Sequence, residues 1–157
     1  MIVLGIDPGV ATIGFGVIRA ERQKNTLIQY GVITTRRASP CPAACSRSLT
    51  TWKSSFAPSP GRDGGGGAVL HQKHHHRHRG GHGRGVILLS AERLGVPVFE
   101  YTPMQVKQAV AGYGGADKRQ VMLMTQRLLN MKQVPRPDDA ADALALAICH
   151  GRAATSS

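Results

Sequence analysis

A short apolar run at the start of the chain constrains its fold more than any other feature. Residues 2–6 are apolar and mostly β-branched, and the run closes at Asp7-Pro8-Gly9, a turn signal. Residues 12–18 are also apolar but alternate with glycines, which let a strand lie close to another backbone. The pattern predicts a β-hairpin with Asp7 at the end of its first strand, and a third strand over residues 27–34.

The second half of the chain alternates between helical and strand patterns. Helices are predicted over residues 86–94, 103–110, 121–129 and from 138 or 139 to 150, with a buried-type strand over 96–101. Strands followed by helix–strand alternation predict a mixed α/β sheet with helices on both faces. A chain of 157 residues fits one domain, which we assign to residues 1–151, with a tail over 152–157.

Residues 36–84 differ from the rest of the chain in composition. They contain nine Lys or Arg and one acid, a charge of +8 out of +11, and six of the seven histidines. They also contain the tetraglycine 64–67 and a His/Arg tract at 74–79. No period of 2 or 3.6 is present, so we expect this segment to be disordered or poorly packed. Because most of the net charge of +11 lies in this one segment, the charge is weaker evidence for a polyanionic partner than it would be if it were spread over the whole chain.

Several classes of protein are disfavoured. No run approaches the roughly 18 apolar residues of a membrane span, and the N-terminus lacks a signal-peptide pattern, so we expect a cytoplasmic protein with no membrane partner. Cys41, Cys45 and Cys149 are odd in number and lack zinc-site spacing, which indicates reduced thiols. We expect only adventitious metal binding from the His tract, and no phosphate loop from the tetraglycine, because no Lys-Ser/Thr follows it.

Three acidic residues indicate the chemistry. Asp139 and Asp142 are three residues apart, so a helix places them on one face with Cβ atoms about 5–6 Å apart, where like charges are costly without a cation. Mg²⁺ prefers carboxylate oxygens and can be shared by these two residues and Asp7. The alternative is that acids in a first helical turn cap the helix and oppose its dipole, which we prefer for Asp138.

Taken in order, several segments resemble the RuvC family of Holliday-junction resolvases over about two thirds of the chain, roughly residues 1–35 and 84–151. The segments are Gly5-Ile6-Asp7-Pro8-Gly9, Gly14-Phe15-Gly16, Arg84-Gly85-Val86-Ile87-Leu88-Leu89, Val98-Phe99-Glu100-Tyr101, Gln105-Val106-Lys107-Gln108, Ala116-Asp117-Lys118 and Asp139-Ala140-Ala141-Asp142-Ala143-Leu144-Ala145.

This resemblance implies a ribonuclease-H-like fold and a homodimer that nicks four-way DNA junctions with two Mg²⁺ ions. It implies that Asp7, Asp139 and Asp142 are catalytic metal ligands and that Lys107 and Lys118 contact the junction DNA. From sequence alone, a solvated helix face is the alternative for both lysines. The family also implies an association with the branch-migration machinery.

The resemblance further implies a fourth acid, a strand glutamate in a segment like Val-Glu-x-x-Phe-Phe, which this chain lacks. Shifting the reading frame by one base from Gly66 onward permits Glu-Glu-Leu-Phe-Phe-Thr-Lys-Asn, which resembles the missing segment. Our hypothesis is that residues from about 36 to 84 are translated out of frame. The chain as written is then expected to be catalytically impaired.

Other interpretations stay open at the level of the sequence. The chain can be a noncatalytic nucleic-acid-binding protein that uses its basic segment, or the unstable product of a frame-shifted gene. A related ribonuclease-H-like RNA nuclease is a further alternative, although the run from Arg84 through Tyr101 to Lys118 favours the resolvase.

Overall fold

A computed structural model describes residues 1–9, 12–22, 24–34, 68–72 and 81–155. These residues form five strands and four helices. The strands are β1 (Ile2–Pro8), β2 (Thr12–Glu21), β3 (Lys24–Thr34), β4 (Ala68–Gln72) and β5 (Val98–Tyr101), and the helices are α1 (Gly81–Arg93), α2 (Pro103–Ala111), α3 (Lys118–Leu128) and α4 (Asp138–Thr155).

The strands form one mixed sheet in the order β3-β2-β1-β4-β5. β1 pairs antiparallel with β2, and β2 antiparallel with β3, which confirms the predicted hairpin and third strand. β4 pairs parallel with both β1 and β5. β1 thus lies at the centre of the sheet, and Asp7 near its carboxyl end pairs in register with Gly14 of β2.

The strand β4 differs from the expectation that residues 36–84 contribute no packed structure. Ala68–Gln72 pairs with residues 3–6 of β1 on one side and 98–101 of β5 on the other. A five-residue run with Val69 and Leu70 suffices for a short parallel strand, and the lack of a period over the whole segment hid it. α1 also begins inside the segment, at Gly81. The expectation for residues 36–67 and 73–80 lies outside the described residues.

Helices cover both faces of the sheet, as predicted. On one face α4 packs with α2 and α3 over β1 and β2, and the buried residues there include Val3, Ile18, Leu144, Leu146 and Ile148. On the other face α1 contributes Ile87 and Ala91, which pack against Leu4, Ile6 and Val17. The alternation along β1 sends successive side chains to opposite faces.

Glycines in β1 and β2 allow α4 to lie directly on the hairpin. A Cβ at Gly5 would stand 2.0 Å from the carbonyl oxygen of Ala143, and one at Gly16 would stand 2.7 Å from the side chain of Leu144. Both separations are too short for real atoms, so only glycine fits beneath the helix. The helix in turn presents alanines, including Ala140 and Ala147, which are fully buried.

The helix termini follow their sequence signals more closely at the start than at the end. Thr102 with Gln105 and Asp117 with Gln120 form capping boxes at the N-termini of α2 and α3. α4 begins at Asp138 as predicted but continues to Thr155. Residues 152–155, which were expected to belong to a tail, are helical. Ala153 and Ala154 are good helix formers, and residues 152–155 contain no Gly or Pro that would end the helix.

Candidate functional site

Asp7 and the first turn of α4 meet at one end of the hairpin. Asp7 is 5% exposed. Its register partner Gly14 lies under the helix, since a Cβ on Gly14 would stand 2.0 Å from the carbonyl oxygen of Asp139. The first turn of α4 therefore lies over the strand pair that carries Asp7. Residues separated by more than 130 positions in sequence come together there.

Asp142 lies one turn further along α4 and interacts with Asp7. The pKa of Asp142 is raised, first by burial and also by the negative charge of Asp7, while Lys118 acts in the opposite direction. Two carboxylates that repel each other in a partly buried place form a site that favours a cation. This is the pairing that the sequence predicted between the strand end and the helix.

Lys118 supplies a positive charge beside these acids. Its Nζ lies 3.4 Å from Oδ2 of Asp142 and 3.1 Å from Oδ2 of Asp138. Burial pulls the pKa of Lys118 down, but its bonds to Asp138 and its attraction to both acids outweigh burial, so the pKa is raised. The ammonium therefore stays charged at neutral pH.

Lys107 reaches the same place from α2. It lines a cavity of about 170 Å³ together with Lys118, Asp142, Val106 and Val121. The two lysines around this opening can attract phosphate, and the carboxylate of Asp142 can contribute an oxygen ligand to a cation. The structure thus brings together Lys107, Lys118 and Asp142, and it connects Asp142 to Asp7.

Asp139 is half-buried in the first turn of α4, and its backbone packs on β2. In the ranges that the structure describes, no group of three or more His, Cys, Asp or Glu side chains is close enough to hold a metal ion. The residues present nevertheless suit a hard cation. Mg²⁺ is commonly bound by one or two carboxylates and completed by waters and substrate phosphate, and Asp7 and Asp142 match that donor set.

One contact at this end of the molecule was not predicted from the sequence. Asp138, interpreted as a capping acid, forms an ion pair with Lys118. The signal was its spacing, because Asp138 and Asp142 are four residues apart and share a helix face.

His150 lies inside α4, which continues for five residues beyond it, so the ring is not at the C-terminal end of the helix dipole. Its ring is buried, lies 4.5 Å from that of Phe99 and shares a 2.9 Å hydrogen bond with the hydroxyl of Tyr101. Burial lowers the pKa of His150. His150 therefore has a packing role as a neutral ring.

The position of the implied fourth acid lies outside the described residues. The shifted reading places that glutamate at Gly66, and the structure describes the chain from Ala68. In the described strand β4, His71 pairs in register with Ile6, which precedes Asp7.

Within the described part of the chain, no helix is long and apolar enough to span a bilayer.

Comparison with known proteins gives a consistent result. The family model "Crossover junction endodeoxyribonuclease RuvC" matches residues 3–60 and 68–150. The match extends into residues 36–60 and 68–84, beyond the segments that carry the resemblance in the sequence. It leaves out residues 61–67, which contain Gly66.

Individual relatives cover almost the whole chain. A curated crossover junction endodeoxyribonuclease RuvC from Brevibacillus brevis is 45% identical over 153 residues, which is 97% of this chain and 92% of that protein. The RuvC structure from Thermus thermophilus superposes with a TM-score of 0.84 at 35% identity, and covers 100% of this chain and 97% of its own. T. thermophilus RuvC in complex with Holliday junction substrate gives a TM-score of 0.83 at 34% identity, with the same coverage of both chains.

Proposed function

Because the chain belongs to the RuvC family of crossover junction endodeoxyribonucleases, we propose that it is an endodeoxyribonuclease that resolves four-way Holliday junctions in DNA recombination and repair. The observation that supports this most directly is the juxtaposition of Asp7 and Asp142 beside a cavity lined by Lys107 and Lys118. A similar fold occurs in a RuvC bound to Holliday junction substrate.

The proposed cofactor is Mg²⁺, held by Asp7 and Asp142 with Asp139 as the third ligand. All three supply the carboxylate oxygens that this ion prefers. When bound, divalent ions in a nuclease neutralise the scissile phosphate, lower the pKa of a water and stabilise the leaving oxygen.

The residues of the chain have separable roles in this proposal. Asp7 is fixed on the central strand and Asp142 on the helix that packs against it, so their separation is set by the core. Lys107 and Lys118 attract and neutralise phosphates at the opening, and we expect their contribution to fall with salt through counterion release. Burial excludes water from the inner side of the site and strengthens these interactions.

The proposed assembly is a homodimer in the bacterial cytoplasm that works with branch-migration machinery. A four-way junction has two equivalent strands to cut, and a twofold dimer presents two equivalent sites. One relative comes from the bacterium Brevibacillus brevis, and the proposed DNA substrate supports a cytoplasmic location.

We further propose that the chain as written cleaves poorly. Gly66 supplies no carboxylate where the shifted reading has glutamate, and residues 61–67 are the internal stretch that the family model leaves unmatched. With one acid missing, one Mg²⁺ keeps its ligands and a second loses a principal one. Junction binding then persists more than junction cleavage.

The deciding experiment compares two proteins on a synthetic four-way junction with Mg²⁺. One is the chain as written, and the other carries residues 36–84 restored to the shifted frame. We expect nicking by the restored protein and little by the chain as written, and no nicking when Asp7→Asn or Asp142→Asn is added to the restored protein. Equal nicking by both proteins contradicts the proposed impairment. Unchanged nicking by the Asn variants contradicts the proposed site.

The same assay separates the alternatives. Salt-sensitive junction binding without nicking by the restored protein favours a noncatalytic nucleic-acid-binding module that uses the basic segment. A chain that aggregates or lacks a cooperative unfolding transition favours the unstable product. Nicking of RNA in preference to the DNA junction favours the related RNA nuclease. Sequencing genomic DNA across the ends of the segment tests the frame shift independently.

A further inference from the structure

Lys118 lies between two carboxylates that differ in burial. The side chain of Asp142 is 27% exposed, whereas those of Asp138 and Lys118 are each 52% exposed. Asp138 therefore stands at the mouth of the site and Asp142 further inside, one helical turn along α4. The ammonium of Lys118 bridges them from the first residue of α3.

This arrangement creates a competition at Asp142. A divalent cation on the Asp142 carboxylate and the ammonium of Lys118 repel each other, so Lys118 has to give up Asp142 when the cation arrives. Asp138 offers Lys118 an alternative anion, because its Oδ2 already lies 3.1 Å from the ammonium. Without Asp138, the ammonium has a stronger preference for Asp142 and opposes the incoming cation.

We propose that Asp138 is a positioning residue that holds Lys118 at the mouth of the site while Asp142 binds the divalent cation. The inference rests on the proposed function and deepens it, because it assigns a role to an acid outside the three expected ligands. A second consequence follows from the position of the cavity. Lys118 anchored on Asp138 still lines the opening with Lys107, where a phosphate can meet it.

The test is a double-mutant cycle on direct Mn²⁺ binding, measured with the full chain by calorimetry without DNA. Asp138→Asn is expected to weaken Mn²⁺ binding by roughly 3- to 10-fold. This is less than the loss usually seen for residues that orient metal ligands, because the Asp138–Lys118 pair is half exposed and its interaction is weakened by solvent. Lys118→Met is expected to tighten binding, since it removes the competitor. In the Lys118→Met background, Asp138→Asn is expected to lose most of its effect.

Two controls separate this mechanism from simpler ones. Glu92→Gln removes one exposed negative charge on α1 and is expected to leave Mn²⁺ binding unchanged. Asp138→Glu keeps the carboxylate and is expected to restore binding to within about twofold of the parent chain, given the modest cost of shifting an exposed pair.

The outcomes that overturn the inference are specific. If Asp138→Asn lowers Mn²⁺ affinity equally with and without Lys118, Asp138 acts as a direct ligand or as a simple negative charge. If Asp138→Asn lowers Mn²⁺ affinity no more than Glu92→Gln does, Asp138 has no role in metal binding. Failure of the proposed metal site is distinguishable from both, since Asp142→Asn then leaves Mn²⁺ binding intact. In that case the cycle has no binding at Asp142 to report.

Discussion

The two faces of the sheet are built in different ways, and only one of them carries the site. On the α4 face, helix backbone rests on strand backbone through Gly5 and Gly14, with no side chain between them. On the α1 face, side chains such as Ile87 and Val17 fill the space between helix and strands, and Leu89 on the same helix is 56% exposed. Direct backbone contact holds the acids at fixed positions, whereas side-chain packing leaves room to adjust.

The α4 face is therefore the part of the molecule in which atomic positions are most tightly fixed. A metal site needs a defined separation between Asp7 and Asp142. Direct contact between the backbone of α4 and the backbones of β1 and β2 fixes that separation. The α1 face stabilises the sheet without setting the position of any proposed ligand. Substitutions on the two faces should therefore differ in size and in kind.

The largest expected effect comes from placing one methyl group beneath α4. Gly14→Ala puts a Cβ against the carbonyl of Asp139, which has no flexible end to move, and we expect a loss of about 4 kcal/mol or more in the free energy of unfolding. Gly85→Ala is the matched control, because nothing lies within 4 Å of its Cβ and α1 is helical there. It should stabilise by about 0.5–1 kcal/mol. Urea unfolding of both variants measures the difference, and similar values contradict the comparison.

Truncation of one buried side chain on each face should destabilise the protein by different amounts. Leu144, on the side of α4 that faces the sheet, is fully buried, and Ile87 on α1 is 6% exposed. We expect Leu144→Ala to cost about 4 kcal/mol and Ile87→Ala about 2 kcal/mol, since the shallower cavity can collapse more easily. Denaturant unfolding gives both values. A larger cost for Ile87 means that the α1 face is the more tightly packed.

Acid should weaken the α4 face through His150. Burial lowers the pKa of this ring, so the unfolded chain binds the proton more readily, and stability falls as pH drops through the unfolded pKa near 6.5. The slope from this residue is at most about 1.4 kcal/mol per pH unit. His150→Gln should flatten the unfolding free energy between pH 7 and 5, at some constant cost in packing. A parent and variant with parallel pH profiles contradict this assignment.

The smallest expected change is a gain from removing a ligand. The raised pKa of Asp142 means that its ionised form is disfavoured by folding, so stability falls as pH rises from 3.8 through the raised value and stays lower at neutral pH. Asp142→Asn should raise the midpoint of thermal unfolding by about 1–3 °C without metal, and abolish nicking in the frame-restored protein. A drop in the midpoint shows that the Lys118 pair outweighs burial.

The hairpin and the helix-on-sheet class could be predicted from the sequence because each has a local signal. The same holds for the approach of Asp142 to Asp7, whereas the role of Asp7, Asp139 and Asp142 as metal ligands stays a prediction. Residues 2–6 form an apolar run that ends at a turn signal, residues 12–18 alternate with glycines, and Asp139 and Asp142 lie at helical spacing. β4 was missed because five residues inside a segment of unusual composition carry little periodicity. The pairing of Asp138 with Lys118 depends on how α3 and α4 pack. The spacing of Asp138 and Asp142 indicates that the two acids share a helix face, but it does not indicate which lysine meets them.

The order in which the strands and helices occur along the chain has a consequence for synthesis. β1 and β2 leave the ribosome first, yet the apolar surfaces of Val3 and Ile18 stay uncovered until α4 arrives more than 100 residues later. Such long-range contacts are slow to form and expose a nascent sheet to association with other chains. Polypeptides that stop before residue 138 lack both the covering helix and two of the three proposed ligands, so we expect premature termination to yield poorly folded chains without a partly assembled metal site.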